Sequence, residues 1–227
     1  NITMDGTSAI ANGITITNGG TYAGTIHTKN QSDIDSITIA SGGVVGSNTA
    51  NSMILSSSNS TIHNIDIQDG GTMYGNIEAH WLTGGNANSV DQKDGNIGDV
   101  SIAGRLQGDI AIRNKVAMNS LTMSENGTIT GSVRVGDDGD ISQTPTLSTI
   151  ALSGNSGINA IVLGNNDARA TINSLTLEGT SSIGTITNNS NATIVNLTLN
   201  ETSTITNGIT NEANGNIGTI ISNTGTN

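Results

Sequence analysis

Apolar residues recur along this chain in one fixed spacing. Triplets spaced like Ile34, Ile37 and Ile39 occur nine times, although the first copy is degenerate and the last is incomplete. A step of six residues from the end of a triplet reaches a second apolar position in seven of eight cases, after a turn rich in Gly, Asn, Ser and Thr. The exception is the step from Ile102, which reaches Gly108 and has Leu106 nearby. Such self-similarity is typical of a repeat protein whose units bury their apolar faces by stacking.

The residues within each repeat indicate β-strands. Segments such as Ile65-Asp66-Ile67 alternate with a period of two, and Ile, Val and Thr favour strands. Successive triplets are 23, 28, 35, 21, 29, 25, 22 and 23 residues apart, so the basal unit is near 22 residues. A propeller blade needs roughly 40 residues, and the helical return segment of a leucine-rich repeat is absent. The pattern predicts an all-β fold, a single-stranded parallel β-helix of about nine coils, which is right-handed because parallel crossovers nearly always are.

Residues 1–227 are expected to form a single β-helix segment with loop insertions near 46–60, 79–95 and 134–147. Coils about 4.8 Å apart would make a rod on the order of 38 Å long. Both ends lie within the repeat register and offer no cap. The segment is therefore expected to be a fragment of a longer protein, or to pair its ends with other copies.

Stacked coils turn equivalent positions into columns. The inward columns are aliphatic and replace a globular core, since fully burying each such side chain contributes about 1.5 to 3 kcal/mol. The outward column of the first strand carries mostly hydroxyls and consists of Thr15, Thr38, Asp66, Ser101, Thr122, Ala151, Thr176 and Thr198. We interpret its threonines as a self-association face, on which many weak polar contacts add up by repetition.

Composition and charge narrow the possible partners. The chain has a formal net charge of −11, one tryptophan, no phenylalanine and no cysteine. The acidic balance argues against nucleic acid as a partner. No run of 18 apolar residues occurs, so no membrane insertion by this segment is expected. From residue 170 onward the only charged residues are Glu178, Glu201 and Glu212, which predicts a nearly neutral surface at that end.

Three segments resemble coils of bacterial autotransporter passenger domains, in which a strand of the form L-T-L is followed by N-G-G-T and another strand. They are residues 14–26 (ITITNGGTYAGTI), 65–77 (IDIQDGGTMYGNI) and 121–133 (LTMSENGTITGSV). The resemblance covers essentially the whole chain, and it concerns architecture rather than a catalytic motif. It implies export through an outer-membrane barrel and display at the bacterial cell surface, exposed on the outer membrane, or secretion. The partners it implies are a host-cell or bacterial surface protein or glycan, or another copy of the chain.

The insertions hold the remaining candidate sites. His80 and Trp81 are a candidate contact platform for a glycan or a protein, because an aromatic ring supplies a large contact area at low entropic cost. The alternative, which we favour, packs Trp81 over the coil edge to hold its loop. The second insertion offers oxygen ligands for calcium at Asp137, Asp138 and Asp140. Because acidic turns are usually just solvated, no resident metal is expected there. The segment 46–60 is interpreted as an extra strand lying against the rod.

Catalysis and cofactors are not expected. Polysaccharide-active β-helix enzymes need clustered carboxylates with a basic residue in a walled cleft. The only directly adjacent acids are Asp137 and Asp138. The first hypothesis is a non-enzymatic surface passenger that acts in adhesion or self-association. The second is a self-assembling surface-layer or fibre subunit, and the third is a polysaccharide-active enzyme.

Overall fold

The computed structural model describes residues 1–79, 95–113, 116–136, 144–165 and 168–224. These ranges contain 23 β-strands, and all the strand pairings within the two sheets are parallel. Within the same ranges, no helix is long and apolar enough to cross a membrane. The predicted all-β architecture is confirmed.

The strands form two sheets, which the chain enters alternately. The thirteen-stranded sheet contains β1 (Ile2–Met4), β4 (Thr21–Tyr22), β5 (Thr25–Thr28), β7 (Val44–Val45), β8 (Ser52–Ser56), β10 (Thr72–Ala79), β12 (Arg105–Gln107), β13 (Ile110–Ile112), β15 (Thr128–Val135), β17 (Gly157–Leu163), β19 (Ser182–Asn188), β21 (Thr204–Ile205) and β22 (Ile209–Asn211). The ten-stranded sheet contains β2 (Ala9–Ile10), β3 (Ile14–Ile16), β6 (Asp33–Ile39), β9 (Thr61–Ile67), β11 (Asn96–Ile102), β14 (Ala117–Met123), β16 (Thr146–Leu152), β18 (Ala170–Leu177), β20 (Ala192–Glu201) and β23 (Asn216–Thr224).

Together the sheets make a parallel β-solenoid of about eight turns. The expected count of nine coils is too high, because nine stacked copies of the triplet strand enclose only eight steps from one copy to the next. The handedness of the coil stays a prediction from the general preference of parallel crossovers.

The triplets lie in register and form the core. The middle residues pair in the order Ile14, Ile37, Ile65, Val100, Leu121, Ile150, Leu175, Leu197 and Ile220. From Ile37 to Leu197 these side chains are essentially removed from solvent. The apolar position beyond each turn stacks in the same way, from Tyr22 through Met73 and Leu106 to Ile205. The predicted inward columns are therefore confirmed.

The segment 46–60 is not an extra strand on the outside of the rod. Strand β8 pairs in parallel with β5 on one side and β10 on the other, so that Ile54 lies between Ile26 and Ile77. The residues beyond the basal unit are 46–51, which join β7 to β8 and contain a Ser47–Ala50 bridge. β8 is part of the sheet because Ile54 belongs to the inward column, where it is fully buried.

Two kinds of four-residue turn lead from the ten-stranded to the thirteen-stranded sheet. In the N-terminal turns (17–20, 40–43 and 68–71) the third residue is a glycine with positive φ, at 72°, 74° and 79° for Gly19, Gly42 and Gly70. In the C-terminal turns (124–127, 153–156 and 178–181) the second residue has positive φ instead, and in the first of them this residue is Glu125. Glu201, the last residue of β20, also has positive φ. Between the two groups, the turn at 103–104 has only two residues.

Candidate functional site

The predicted self-association face lies on the outward side of the ten-stranded sheet, which we call the hydroxyl face. Its main column runs in continuous register through Thr15, Thr38, Asp66, Ser101, Thr122, Ala151, Thr176, Thr198 and Ile221. Every residue placed in this column from the sequence is found in it, and Ile221 extends it by one strand. Neighbouring members are therefore about 4.8 Å apart.

The five threonines of the column differ in exposure. Thr15 and Thr122 are exposed, whereas Thr38, Thr176 and Thr198 are half-buried by their stacked neighbours. Within the described part of the chain, the hydroxyls of Thr176 and Thr198 have no hydrogen-bond partner on the protein. Both therefore remain available to a partner surface.

A second polar column runs beside the first. It consists of Ser36, Asn64, Asp99, Ser120, Thr149, Ser174, Asn196 and Thr219, again in register from strand to strand. Two parallel columns make the face a broad polar strip rather than a single line of side chains.

In the middle of this strip, two aspartates accept hydrogen bonds from the serine hydroxyls. The Ser101 hydroxyl donates to Asp66 Oδ1 at 2.5 Å, and Ser120 donates to Asp99 Oδ1 at 2.5 Å. The amide of Asn119 also donates to Asp99 Oδ1 at 2.6 Å. Charge-assisted bonds of this kind are among the stronger ones in proteins. The middle strands are thus internally satisfied and carry negative charge, which makes them a poor surface for a second acidic rod.

The outward side of β16, β18, β20 and β23 is different, and we call it the neutral face. Its outward positions are Thr, Ser, Asn, Ala, Gly, Val and Ile, and the only charged residue of these strands is Glu201 at the end of β20. Val195 is 40% exposed and Ile221 45% exposed, so apolar side chains lie among the hydroxyls. The sequence analysis placed the threonines here but missed both aliphatic residues, which were signalled only by their outward register positions.

Asp5, whose pKa is shifted from its ordinary value, lies away from the neutral face. The pKa of Asp5 is lowered, first because the Asn30 amide donates to Asp5 Oδ1 at 2.7 Å and then because Lys29 Nζ lies 3.0 Å from Asp5 Oδ2. Asp5 lies between β1 and β2, and Lys29 and Asn30 lie between β5 and β6, near the opposite end of the solenoid from β20.

The other predicted site residues lie outside the described residues. These are the contact-platform candidates His80 and Trp81 and the calcium candidates Asp137, Asp138 and Asp140. Among the residues that are described, no group of three or more His, Cys, Asp or Glu side chains is arranged to hold a metal ion.

Comparisons with family models, with curated proteins and with solved structures gave no match. The class that the structure defines is the parallel β-solenoid.

Proposed function

We propose that this chain is part of a bacterial cell-surface or secreted passenger that acts by self-association or adhesion and not by catalysis. The resemblance of its N-G-G-T coils to autotransporter passengers suggests the setting. The observation that carries the proposal is the neutral face, because two rods of net charge −11 repel each other least when their uncharged surfaces meet.

The mechanism rests on repetition. A single hydrogen bond between exposed groups contributes only about 0.5 to 1.5 kcal/mol. Thr176 and Thr198 pair in register on adjacent strands, so a partner with the same spacing meets both at once. Val195 and Ile221 add apolar area to the same contact. Each contact is weak, but contacts on one rigid body act together.

The test is to replace Thr176 and Thr198 together with arginine. Each arginine adds a large charged side chain to the neutral face, and a pair of such faces would have to bury those charges without partners. We expect the apparent association constant of the purified chain, measured by sedimentation velocity, to fall by about tenfold or more. The circular dichroism melt should be little changed, because both positions point outward.

A matched control is Thr187→Arg with Thr210→Arg. These threonines are in register on β19 and β22 of the other sheet, and their replacement adds the same charge to the same coils. The control should associate like the parent chain. Equal association of the parent and the Thr176/Thr198 variant, with both folded, would count against the proposal.

End-to-end assembly into a fibre is the second candidate. Strand β23 pairs only with β20 among the described residues, and it leaves Ile220 56% exposed. An unpaired strand edge is a template for another chain. Light scattering coupled to size-exclusion chromatography separates the two candidates. Linear oligomers that grow with concentration and persist in the Thr176/Thr198 variant favour the fibre, whereas dimers that dissociate in that variant favour the neutral face.

A further inference from the structure

A groove of about 250 Å³ interrupts the line of turns at the fourth coil. We call it the notch, and the residues used below are Asp69, Gly70, Gly104, Arg105 and Asn126, all of which line it. It exists because the turn at 103–104 has two residues where the turns on either side, 68–71 and 124–127, have four. The stacked turns form a ridge along the solenoid, and the two-residue turn leaves a gap in this ridge where a four-residue turn would lie.

Backbone N–H groups point into the notch from its N-terminal side. In the N-terminal turns, each third residue donates forward along the rod: Gly19 N donates to Gly42 O at 3.1 Å, and Gly42 N donates to Gly70 O at 3.0 Å. Gly70 has the same φ as these glycines, so its N–H points forward as well. The short fourth turn offers no equivalent carbonyl, and Gly70 N has no protein acceptor within the described ranges.

On the C-terminal side of the notch, the hydrogen bonds between successive turns form a ladder that runs in the opposite direction. Asn155 N donates back to Glu125 O at 2.7 Å, and Thr180 N donates back to Gly154 O at 2.9 Å. Asn126 occupies the same turn position as Asn155, so its N–H points back toward the missing layer and finds no carbonyl among the described residues. The two ladders therefore converge, and each ends in an N–H donor aimed at the same gap.

Side chains complete a mixed set of donors and acceptors. Arg105 is exposed and forms no ion pair with the described part of the protein, so its guanidinium can serve a ligand. Asn126 Oδ1 accepts from Asn155, which leaves its Nδ2 as a donor. Asp69 contributes a carboxylate, an acceptor for hydroxyl groups. The notch thus combines an exposed arginine, two backbone donors and an acceptor for O–H.

We propose that the notch binds a carboxylate-bearing sugar residue. The turns of Gly70 and Asn126 are two coils apart, about 9.6 Å at 4.8 Å per coil. Two N–H···O bonds of about 2.9 Å leave their acceptor oxygens about 4 Å apart. One water or one halide cannot reach both donors. A sugar ring carries several oxygens at such separations, its carboxylate pairs with Arg105, and its hydroxyls donate to Asp69.

The acceptor set argues against an acidic peptide. The Asp69 carboxylate accepts hydrogen bonds from hydroxyl groups, which a sugar ring carries and an Asp or Glu side chain lacks. The site lies on the ridge of turns rather than on the neutral face, so it does not depend on self-association.

The binding test uses a trisaccharide that ends in glucuronate, its glucose-terminated counterpart and a sialic-acid-terminated one. Amide chemical shifts of Gly70 and Asn126 report contact with the ligand directly, and titration gives the affinity. We expect the glucuronate ligand to shift both amides and to bind at least tenfold more tightly than the glucose ligand. The sialic acid arm decides which acidic sugar fits better.

Two variants test the site itself. Arg105→Gln should weaken glucuronate binding by about tenfold, because it removes a charge-assisted contact. Insertion of Asn-Gly between Ala103 and Gly104 copies the turn Thr17-Asn18-Gly19-Gly20 and should abolish binding, since the restored layer fills the notch. Arg169→Gln, an equal charge change at an exposed residue outside the notch, is the matched control and should bind normally.

Several outcomes would overturn the proposal. Equal binding of the glucose and glucuronate ligands would exclude a role for the carboxylate. Tighter binding of a short Glu-containing peptide than of any sugar would identify a peptide site instead. Undiminished glucuronate binding by the insertion variant, with a circular dichroism melt like that of the parent, would place the ligand elsewhere. Sedimentation velocity of the same variants measures self-association separately from sugar binding. The proposed self-association and the proposed sugar site can therefore each be disproved independently of the other.

Discussion

Gly75 marks a point where the backbone leaves no room for a side chain. The residue lies in the middle of β10, where the strand passes from its pairing with β7 to its pairing with β8. Its φ is +128°, and a Cβ added there would lie 1.8 Å from the carbonyl oxygen of Ser52. Both the dihedral angle and the contact therefore require glycine.

Replacing Gly75 with alanine is expected to destabilise the rod by about 3 kcal/mol or more, since the stacked backbone must move to relieve the contact with Ser52. Gly19→Ala is the matched control. Gly19 also has positive φ, but nothing lies within 4 Å of its added Cβ, so only the dihedral cost of about 1 kcal/mol applies. Urea unfolding followed by circular dichroism measures both. Equal losses for the two variants would show that conformation alone requires glycine at Gly75.

The serines of the segment 52–60 are buried, although the composition of the segment does not suggest it. A run rich in serine suggests a solvated loop, yet Ser52, Ser56, Ser57 and Ser60 are all buried. Their hydroxyls bond within the corner and to the neighbouring coil: Ser56 Oγ donates to Ser60 O at 3.0 Å, and Ser52 Oγ accepts from Gly24 N at 3.0 Å. Small hydroxyl side chains can replace apolar ones where coil corners bring carbonyls within reach.

At the scale of elements, β8 shows how a long interval can mislead. The interval of 28 residues between Ile37 and Ile65 indicates additional residues, but it does not indicate which of them are additional. The sequence pattern places the apolar run Met53-Ile54-Leu55 in the insertion 46–60, whereas in the structure residues 46–51 form the insertion. Pairing of β8 with both neighbouring coils decides the matter, and pairing between distant residues is not encoded in local spacing.

Ile54→Ala tests this placement. Ile54 is fully buried between Ile26 and Ile77, so its truncation should cost about 2 to 4 kcal/mol of unfolding free energy. Met53→Ala is the control on the same strand. Met53 faces outward and is only partly buried, and its loss should cost less than about 1 kcal/mol. A strand merely lying on the rod would instead make both variants nearly neutral in chemical denaturation.

At the scale of the whole molecule, the register of the core was predictable and the character of the surface was only partly so. Triplets such as Ile62, Ile65 and Ile67 must align with their neighbours, because a one-residue slip would expose every inward side chain. The step from Ile102 is the exception to the spacing in the sequence, but the two-residue turn behind it and the chemistry of that turn are seen only in the structure. That chemistry depends on the positive φ of Glu125 and Gly70, and a glutamate in the left-handed region is not expected from propensity.

Ionic strength should affect both proposed interactions, because each depends on charge. Two rods of net charge −11 repel each other, and salt screens that repulsion, because the Debye length falls from about 10 Å at 0.1 M to about 3 Å at 1 M. Association through the uncharged neutral face should therefore strengthen between about 0.05 and 0.5 M NaCl, as measured by sedimentation equilibrium. Over the same range the advantage of the parent chain over Arg105→Gln in glucuronate binding should shrink, because salt screens the attraction between Arg105 and the carboxylate. Association that dissolves in salt would mean that ion pairs hold the rods together, and the neutral face would then not be the contact.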